Sequence, residues 1–481
     1  MVSVPQRLVV GFDLDMTLVD SRRGIAATYD ALSRETGVPI DSAAAVSRLG
    51  PPTREEVARW FPADQVDDAV ARYLELYPEH GVDPTTAMPG AAEALQAVRR
   101  HRGGSVVVTA KHPDNAELHM RHLELDVDEV VGWLWGGAKG PALAERGAGI
   151  YVGDHVLDVE GARVAGATSV AVCTGPCSAE ELAAAGADVV LPDLRAFPAW
   201  LDAHLLTTRL AALEAALREH ERVVVAFSGG ADSAFLLAAA ARALGPDRVV
   251  AATAVSGSLP GAELDAAREL AASLGVRHLT PDTHEIEREG YRANAGDRCY
   301  FCKAELLDVL GPLAEHEHAV VATGTNADDA VAGFRPGIRA ASERGAVTPL
   351  RDAGLSKEQV REASRRWGLP TWDKPAAACL SSRIAYGVEV TPHRLARVER
   401  AESGLRDWLR RHGVTVRDLR VRDLGELARV EVDAGLVGLL QGSAEALDRV
   451  RSAGFSAVEV DERGFRSGAM NELLADPEHY R

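Results

Sequence analysis

Short apolar runs rich in valine alternate with segments of helical period along most of the chain. In the first 200 residues these runs predict buried strands at RLVVGFDLD, SVVVTA, GIYVGD, TSVAVC and ADVVLP. Largely helical sequence fills residues 20–88, between the first two runs. The pattern predicts an α/β domain with an inserted helical cap, which we place at residues 1–204.

The same alternation resumes after a helical segment at residues 199–222. It predicts a second parallel sheet with strands at VVVAF, RVVAATAV and AVVATGT. From about residue 376, the alternating stretches RVRDLGELARVEVD and SAVEVDE predict an antiparallel or mixed sheet. We therefore predict two further domains, at residues 205–375 and 376–481.

Composition favours a protein that acts on small molecules. Lysine and arginine number 53 against 71 for aspartate and glutamate, and the net charge of −18 disfavours an extended nucleic-acid surface or an anionic membrane as partner. We find no apolar stretch long enough to span a bilayer and no leader-like segment, so we expect a cytoplasmic protein. Five cysteines in 481 residues are too few for a disulfide framework, and we interpret Cys173 and Cys177 as packing or loop residues.

Paired carboxylates stand at the end of the first predicted strand, in DLDMT. Asp13 and Asp15 lie on one face of an extended chain, so they can converge on a cation or a reacting group. One of them could attack phosphorus while the other donates a proton, which requires that their environments differ. A hydroxyl, a cationic clamp and Mg²⁺ carboxylates follow at Thr109, Lys139, Asp154 and Asp158.

This ordered set resembles the haloacid dehalogenase (HAD) superfamily over about residues 7–200, and the insertion resembles the helical cap of phosphoglycolate-phosphatase-type members. The resemblance implies that Asp13 is the phosphorylated nucleophile and Asp15 the general acid and base. The other implied roles are phosphate binding by Thr109 and Lys139, and Mg²⁺ binding by Asp13, Asp15, Asp154 and Asp158.

Met16 stands where many members of that superfamily carry glycine. We expect this departure to leave the catalytic residues intact and to alter the turn. The alternative for the whole unit is a domain that has lost its catalytic activity and is kept for packing. The phosphate ester cannot be read from the sequence, because substrate choice depends on the cap.

The stretch VVVAFSGGADS, at residues 223–233, joins an apolar run to a glycine turn that is followed by helical period. The two glycines allow a tight turn, and amides at the start of a helix bind anions. No lysine lies inside the turn, unlike in GxxxxGK(S/T) phosphate loops. The turn resembles the PP-loop, SGGxDS, whose family splits ATP between its α and β phosphates to adenylate a substrate. The resemblance implies ATP binding by Ser228, Gly229, Gly230, Asp232 and Ser233, with Mg²⁺ near Asp232.

Three cysteines lie in the second half of the chain. NAGDRCYFCK places Cys299 and Cys302 at CxxC spacing, and Cys379 follows in PAAACLSSR. A structural zinc usually takes four protein ligands, whereas three cysteines leave one position open, as an iron–sulfur cluster with a labile iron would. A buried pair or a redox couple is the alternative for the first two. Arg383 and the serines after Cys379 suggest thiolate stabilisation and contact with a substrate anion.

Six segments follow one another in the order SGGADS, RCYFCK, GTNADD, RPGIRAASE, KPAAACLSSRIAYG and LRVRDLGELARVEV. Together they resemble the LarE family of ATP-dependent sacrificial sulfur transferases over about residues 205–470. That family adenylates a carboxylate of a pyridinium mononucleotide and replaces oxygen with sulfur, towards the nickel-pincer nucleotide cofactor. The resemblance implies that Cys379 handles sulfur, and that it holds a 4Fe-4S cluster with Cys299 and Cys302. Members with only the one cysteine surrender its sulfur and keep dehydroalanine.

Five arginines are candidates for contacts with substrate or nucleotide phosphates, although each could also be an ordinary surface residue: Arg335, Arg339, Arg383, Arg420 and Arg422. Asp328 and Asp329, in GTNADD, could hold a metal or cap a turn.

The predicted fold class is α/β. It comprises a Rossmann-like HAD domain with a helical cap, a PP-loop domain of the adenine nucleotide α-hydrolase type, and a small C-terminal α+β region for sulfur transfer and substrate binding. The fusion suggests that the first unit hydrolyses pyrophosphate or trims a phosphate from a related nucleotide.

Alternatives for the second unit are a tRNA thiolase, an ammonia-dependent synthetase and a non-catalytic iron–sulfur or nucleotide-binding sensor. The acidic balance disfavours tRNA, and the ammonia reaction gives the cysteines no role. As partners we expect a small carboxylate or nucleotide substrate, a sulfur donor and a second copy of the chain in a homo-oligomer, with no membrane or nucleic acid.

Overall fold

The computed structural model describes residues 7–331, 336–375 and 379–466. The chain divides into two compact units, Met1–Leu205 and Leu206–Arg481. Both units are built on parallel sheets, which confirms the predicted α/β class. Within the described residues, no helix combines the length and apolar character needed to cross a membrane.

Valine-rich runs form the strands of the first unit. In chain order these are β1 (Val9–Phe12), β2 (Val19–Asp20), β3 (Thr86–Ala87), β4 (Gly104–Val108), β5 (Glu129–Val131), β6 (Ile150–Gly153), β7 (Thr168–Val172) and β8 (Val189–Leu191). A parallel sheet has the order β5-β4-β1-β6-β7-β8, and β2 pairs antiparallel with β3. Alternate residues of β4 enter two different apolar clusters, so both faces of the sheet are covered. Edge strand β5 was not predicted, because its three residues give too short a pattern.

Helices of the first unit either cover the sheet or form the cap. They are α1 (Arg22–Thr36), α2 (Ser42–Val46), α3 (Thr53–Val57), α4 (Val66–His80), α5 (Ala91–Arg100), α6 (Pro113–His122), α7 (Lys139–Glu145), α8 (Val156–Ala165) and α9 (Ala179–Ala184). Helices α1 to α4 lie between β2 and β3 and share an apolar core of their own that contains Leu32, Phe61 and Tyr77. This is the predicted helical cap.

The second unit begins with a parallel sheet of strands β9 (Val223–Ala226), β10 (Val249–Ala252), β11 (Arg277–Leu279) and β12 (Val320–Thr323). Their order is β11-β10-β9-β12, so β10 and β11 lie on one side of β9 and β12 lies on its other side. In open parallel sheets, ligands bind at the carboxyl ends of the strands beside such a reversal. Every residue of β9 is buried, as its run of valines predicts.

A mixed sheet follows, with strands β13 (Leu419–Asp423), β14 (Leu427–Val432) and β15 (Ala457–Val460). β13 pairs antiparallel with β14, and β14 pairs parallel with β15, in agreement with the predicted α+β region. The remaining helices are α10 (Phe197–Arg218), α11 (Ala231–Leu244), α12 (Gly261–Ser273), α13 (Glu289–Arg292), α14 (Arg298–His316), α15 (Ala327–Val331), α16 (Pro336–Glu343), α17 (Pro349–Asp352), α18 (Lys357–Arg366), α19 (Pro392–Arg411), α20 (Val437–Gln441) and α21 (Ala444–Ser452).

Candidate active sites

The first candidate site lies at the carboxyl edge of the sheet in the first unit. Asp13 follows β1, Thr109 follows β4 and Asp154 follows β6. Because these strands are neighbours and parallel, their carboxyl ends bring the three residues together. Asp158 joins them from the first turn of α8, and ligand oxygens of Asp13, Asp154 and Asp158 all lie within 4.8 Å of one another.

Lys139, the first residue of α7, places its ammonium among these carboxylates. Its Nζ lies 2.8 Å from Asp13 Oδ1 and 2.6 Å from Asp158 Oδ1, and it donates to the Tyr151 hydroxyl at 2.9 Å. Burial would lower the pKa of Lys139, but Asp13 and Asp158 outweigh it and hold that pKa well above its usual value. The predicted clamp therefore contacts the predicted nucleophile.

The carboxylates carry more buried negative charge than Lys139 neutralises. Burial raises the pKa of Asp13 to about 7, although Lys139 opposes the shift. Burial also raises the pKa of Asp154 well above its usual value, and Asp13 and Asp158 add to that shift. A divalent cation that prefers oxygen ligands would offset this charge, so the donor set fits Mg²⁺.

Asp15 has a different environment from Asp13, as the proposed division of labour requires. Its carboxylate lies 3.0 Å from Lys111 Nζ and accepts a hydrogen bond from the Ser21 hydroxyl at 2.5 Å. Burial would raise the pKa of Asp15, but Lys111 and Ser21 bring it below its usual value. The fold does not bring the Asp15 carboxylate into the cation-binding group that we expected it to join. Lys111 was not predicted, although its place just after a strand end was the available signal.

The turn after Asp15 keeps a left-handed residue in spite of the missing glycine. Met16 has a φ of +63° and a buried side chain. That conformation costs about 1–2 kcal/mol for a residue with a Cβ. The Met16 carbonyl accepts a hydrogen bond from the Thr174 hydroxyl at 2.6 Å, and its N–H donates to Val19 O at 2.8 Å. The contact with Thr174 and the local bond to Val19 thus hold a conformation that glycine would adopt freely.

A partly open cavity of about 80 Å³ lies between the cap and the carboxylates. The Tyr77 hydroxyl, on cap helix α4, lies 2.9 Å from His119 Nε2 of core helix α6, so a buried polar contact joins cap and core beside it. The lining includes Thr109, Tyr29, Tyr73, Tyr77, Trp135, His155, Arg48 and Lys111.

The second candidate site lies at the turn after β9. Gly229 has a φ of +69°, and Gly230 caps α11 in an extended conformation. The Ser233 hydroxyl accepts a hydrogen bond from the Ser228 N–H at 3.3 Å and lies 3.1 Å from the Ser228 hydroxyl. A cleft of about 330 Å³ opens beside this turn. Its lining includes Ser228, Gly230, Asp232, Ser233, Thr253, Lys303, Thr325 and Asp329.

The GTNADD turn meets the PP-loop helix at this cleft. Asn326 Nδ2 donates to Asp232 Oδ1 at 3.1 Å, and burial raises the pKa of Asp232. Asp328 accepts the Lys357 N–H at 2.8 Å, and Asp329 accepts the Asn326 N–H at 3.2 Å. Both aspartates therefore cap backbone groups, which was one of the two predicted roles. Asp329 also lines the cleft.

Two lysines that the sequence did not single out reach this site. Lys374 Nζ donates to the Gly229 carbonyl at 2.9 Å and pairs with Glu263 at 2.6 Å. Lys303, next to Cys302, lines the cleft, and burial lowers its pKa. The PP-loop itself contains no lysine. The fold places Lys303 in the lining of the cleft and Lys374 against the backbone of the loop.

The fold gathers the CxxC segment and the Cys379 segment. Cys299 and Cys302 lie in the first turns of α14, and Cys379 immediately precedes a short 3-10 turn. Arg298 donates to the Ser381 carbonyl at 2.9 Å and so connects the two segments. Burial raises the pKa of Cys302, and the neighbouring Cys379 and Cys299 add to the shift.

The three cysteines do not form a group whose sulfurs all lie within 4.8 Å of one another, and in the described part of the chain only the aspartate group of the first unit does. Cys379 Sγ lies 2.8 Å from the Ser381 hydroxyl, in keeping with the predicted hydroxyl contact.

The predicted phosphate-binding arginines include two that form buried ion pairs. Arg383 Nε lies 2.9 Å from Glu402, and its Nη1 donates to the Cys379 carbonyl at 2.8 Å. Arg422 lies 2.7 Å from Glu431. Breaking a buried ion pair costs about 3–5 kcal/mol, so these two arginines serve the local fold in addition to any ligand.

Arg420 is buried beside the same arginines and glutamates. Burial lowers its pKa, the nearby Arg383 adds to the shift and Glu402 opposes it. Arg339 is exposed, 3.5 Å from Glu343, and lies over the Tyr300 ring. Arg335 lies outside the described residues.

Comparisons with known proteins separate the same two parts of the chain. Residues 10–132 match the family model of haloacid dehalogenase-like hydrolases, residues 140–197 match a HAD-hydrolase-like model, and residues 208–383 match the NAD synthase model. An uncharacterized protein of Synechocystis sp. is 40% identical over 274 residues, which are 56% of this chain and 99% of that protein. The pyridinium-3,5-bisthiocarboxylic acid mononucleotide synthase of Lactiplantibacillus plantarum is 35% identical over 271 residues, 56% of this chain and 96% of that protein.

The chain belongs to the LarE family. In this LarE-family chain, a HAD-like hydrolase unit precedes the LarE region. The phosphoglycolate phosphatase of Pseudomonas syringae pv. syringae is 28% identical over 211 residues, 39% of this chain and 77% of that enzyme. The NAD synthase match covers the PP-loop sheet and ends before β13, whereas the LarE relative is matched over almost its full length.

Proposed function

We propose that the LarE region is an ATP-dependent sulfur transferase that converts a substrate carboxylate to a thiocarboxylate. The supporting observation is that the segment after Cys379 forms a backbone hydrogen bond with a loop of the ATP cleft. The Leu380 N–H donates to the Ser258 carbonyl at 2.9 Å, and Leu259 lines the cleft. A sulfur carried by Cys379 is thereby tied to the loops that would bind the activated substrate.

The proposed reaction has two displacements. A carboxylate oxygen of the substrate attacks the α-phosphorus of ATP, and pyrophosphate leaves. A sulfur nucleophile then attacks the acyl carbon, and AMP leaves with that oxygen, which gives the thiocarboxylate. Amides at the start of α11 and the hydroxyls of Ser228 and Ser233 suit the phosphates. Asp232 and Asp329 offer oxygen ligands for Mg²⁺ at the same cleft.

For the sulfur source we propose a 4Fe-4S cluster held by Cys299, Cys302 and Cys379. When bound, the cluster would supply an extra sulfide from its open iron position, so the sulfur of Cys379 would not be consumed. Without it, the Cys379 thiolate would displace AMP to form a thioester. Loss of the Cα proton of Cys379 to a base would then break its Cβ–S bond, release the thiocarboxylate and leave dehydroalanine. Two observations support the cluster: Arg298 connects the CxxC segment to the Cys379 segment through the Ser381 carbonyl, and Cys379 and Cys299 both lie near enough to Cys302 to raise the pKa of its thiol.

For the acceptor we propose a pyridinium carboxylate mononucleotide, as in synthesis of the nickel-pincer nucleotide. The Lactiplantibacillus plantarum relative is named for a pyridinium bisthiocarboxylic acid mononucleotide.

The test is substrate-dependent release of pyrophosphate from ATP across a panel of carboxylate nucleotides. The assay uses the Asp13→Asn variant, so that the HAD unit does not hydrolyse the pyrophosphate that is measured. In that background, Cys379→Ala should still adenylate the substrate but form no thiocarboxylate by mass spectrometry, whereas the control Cys177→Ala should do both. A full chain that releases no pyrophosphate with any carboxylate would exclude the proposed adenylation.

We propose that the HAD unit is a Mg²⁺-dependent phosphatase for small phosphates, with pyrophosphate as the first choice. A cavity of about 80 Å³ suits pyrophosphate or a two-carbon phosphate ester better than a mononucleotide. Lys111 and Arg48 line it and suit a second anionic group next to the phosphate that Asp13 would attack. Hydrolysis of pyrophosphate would also draw the reversible adenylation forward.

Phosphate release from the full chain with Mg²⁺ tests this activity, with pyrophosphate, phosphoglycolate and mononucleotides as substrates. We expect pyrophosphate to be hydrolysed faster than any mononucleotide, and Asp13→Asn to be inactive on all of them. A preference for mononucleotides would refute the size argument. Absence of release from every substrate would refute the phosphatase activity.

A further inference from the structure

Lys374 supports the PP-loop from outside the ATP cleft. Its Nζ lies 2.9 Å from the Gly229 carbonyl and 2.6 Å from Glu263, on α12. Ser228 and Gly230 line the cleft, whereas Lys374 is not among the lining residues. Because Glu263 neutralises the ammonium, Lys374 adds little net positive charge near a bound phosphate. Its main effect is the hydrogen bond to the Gly229 carbonyl.

The planarity of the peptide bond carries the effect of this contact to the cleft. In a trans peptide, the carbonyl of Gly229 and the N–H of Gly230 point in opposite directions. An ammonium that holds the carbonyl on one side therefore presents the N–H on the other. The Gly230 N–H has no hydrogen-bond partner among the described residues, and it stands at the start of α11, where the helix dipole favours anions.

We propose that Lys374 is a positioning residue that fixes the Gly229–Gly230 peptide so that the Gly230 N–H faces the pyrophosphate part of ATP. The inference rests on the proposed function, in that the cleft must take ATP. The backbone of Lys374 is itself anchored, because Arg361 on α18 donates to its carbonyl at 3.0 Å. Lys374 also precedes Cys379 by five residues, so one segment supports the ATP loop and carries the reactive cysteine.

The test compares two nucleotides that differ in the pyrophosphate part. Binding of α,β-methylene-ATP with Mg²⁺, and of AMP, is measured by calorimetry on the full chain. Lys374→Met should weaken the ATP analogue about tenfold, which corresponds to about 1.4 kcal/mol, and change AMP binding less than about twofold. Lys374→Arg, which can still donate to the carbonyl, should bind the analogue within about threefold of wild type.

A second variant acts on the same N–H without touching the lysine. Gly230 has a φ of −79°, which proline tolerates, and a Cβ there would meet nothing closer than the Ser228 hydroxyl at 3.5 Å. Gly230→Pro should therefore weaken the ATP analogue and spare AMP. Lys374→Met should then add no further loss in the Gly230→Pro background, because both changes remove one contact.

The matched control is Arg268→Met, which removes an exposed cation from the same helix as Glu263 and should bind both nucleotides as wild type does. The proposal is overturned if Lys374→Met binds the ATP analogue normally, or if it loses AMP and the analogue equally. Should Lys374→Met fail to fold, normal analogue binding by Gly230→Pro would overturn it. Wild-type protein that binds neither nucleotide would refute the proposed function, and the inference with it.

Discussion

Removal of the Lys139 ammonium should destabilise the first unit and abolish its phosphatase activity. The side chain is 1% exposed and lies between Asp13 and Asp158. Lys139→Met keeps the aliphatic stem but leaves these two carboxylates close together without a cation. Asp154 adds a third carboxylate within 4.8 Å, which increases the electrostatic repulsion among these side chains.

Loss of one partner from a buried ion pair costs about 3–5 kcal/mol. For a unit of this size, 1 kcal/mol lowers the midpoint of thermal unfolding by about 2–4 °C, so the first unit should lose about 6–20 °C. The loss should be larger at pH 8 than at pH 6. Burial raises the pKa of Asp13 to about 7, so at the lower pH a proton already removes part of the charge that Lys139 would neutralise.

Differential scanning calorimetry of the full chain, treated with a chelator, measures the effect. Mg²⁺ should recover part of the lost stability, because it supplies positive charge to the same carboxylates. The control is Arg146→Met, which breaks a more exposed pair with Glu129 and should cost at most about 1 kcal/mol. A Lys139→Met midpoint equal to that of the control would refute this account of the site.

Three further changes have sharp expected outcomes. Asp13→Asn should abolish phosphate release from pyrophosphate and, when an added pyrophosphatase removes the pyrophosphate, leave AMP formation by the LarE region unchanged; parallel loss of both would show that the units do not act separately. Asp423→Asn should lower the free energy of unfolding by about 3–5 kcal/mol in urea titrations. The reason is that this fully buried carboxylate lies 2.8 Å from Arg394 and 2.7 Å from Arg397. A loss below about 1 kcal/mol would contradict a stabilising role for this buried ion pair. Cys299→Ala should remove the visible absorption of anaerobically purified protein and spare binding of the ATP analogue, whereas absorption that survives would exclude Cys299 as a cluster ligand.

The contacts of the first site could be predicted because they follow from topology. Asp13, Thr109 and Asp154 each end an apolar run, and the carboxyl ends of neighbouring parallel strands meet at one edge. The fold class follows from the same alternation of runs. The place of Lys111 just after the end of β4 indicates the same edge of the sheet, but its pairing with Asp15 also depends on the path of the loop that follows β4 and could not be predicted.

Contacts in the second unit show where sequence reasoning stops. The PP-loop is local, so its glycines and hydroxyls could be found from one short stretch. Lys374 is 145 residues away from Gly229, and only the packed fold brings it there. Arg383 illustrates a second limit, because its position beside Cys379 predicts contact with a substrate anion but does not reveal its ion pair with buried Glu402. Whether a cation is free for a ligand depends on partners that no motif contains.

The grouping of the three cysteines depends on residues that lie outside the cysteine motifs. Asn294 donates from its Nδ2 to the carbonyls of Ala385 and Val388, at 2.7 and 2.9 Å, and Arg298 donates to the Ser381 carbonyl. These are backbone acceptors, so the contacts tolerate changes in the side chains that follow Cys379. A CxxC pair and a distant third cysteine can therefore evolve as one site only if this buried polar connection persists. If the cysteines serve one cluster, Arg298→Met should disturb the environment of Cys379 as strongly as a change in the CxxC pair does.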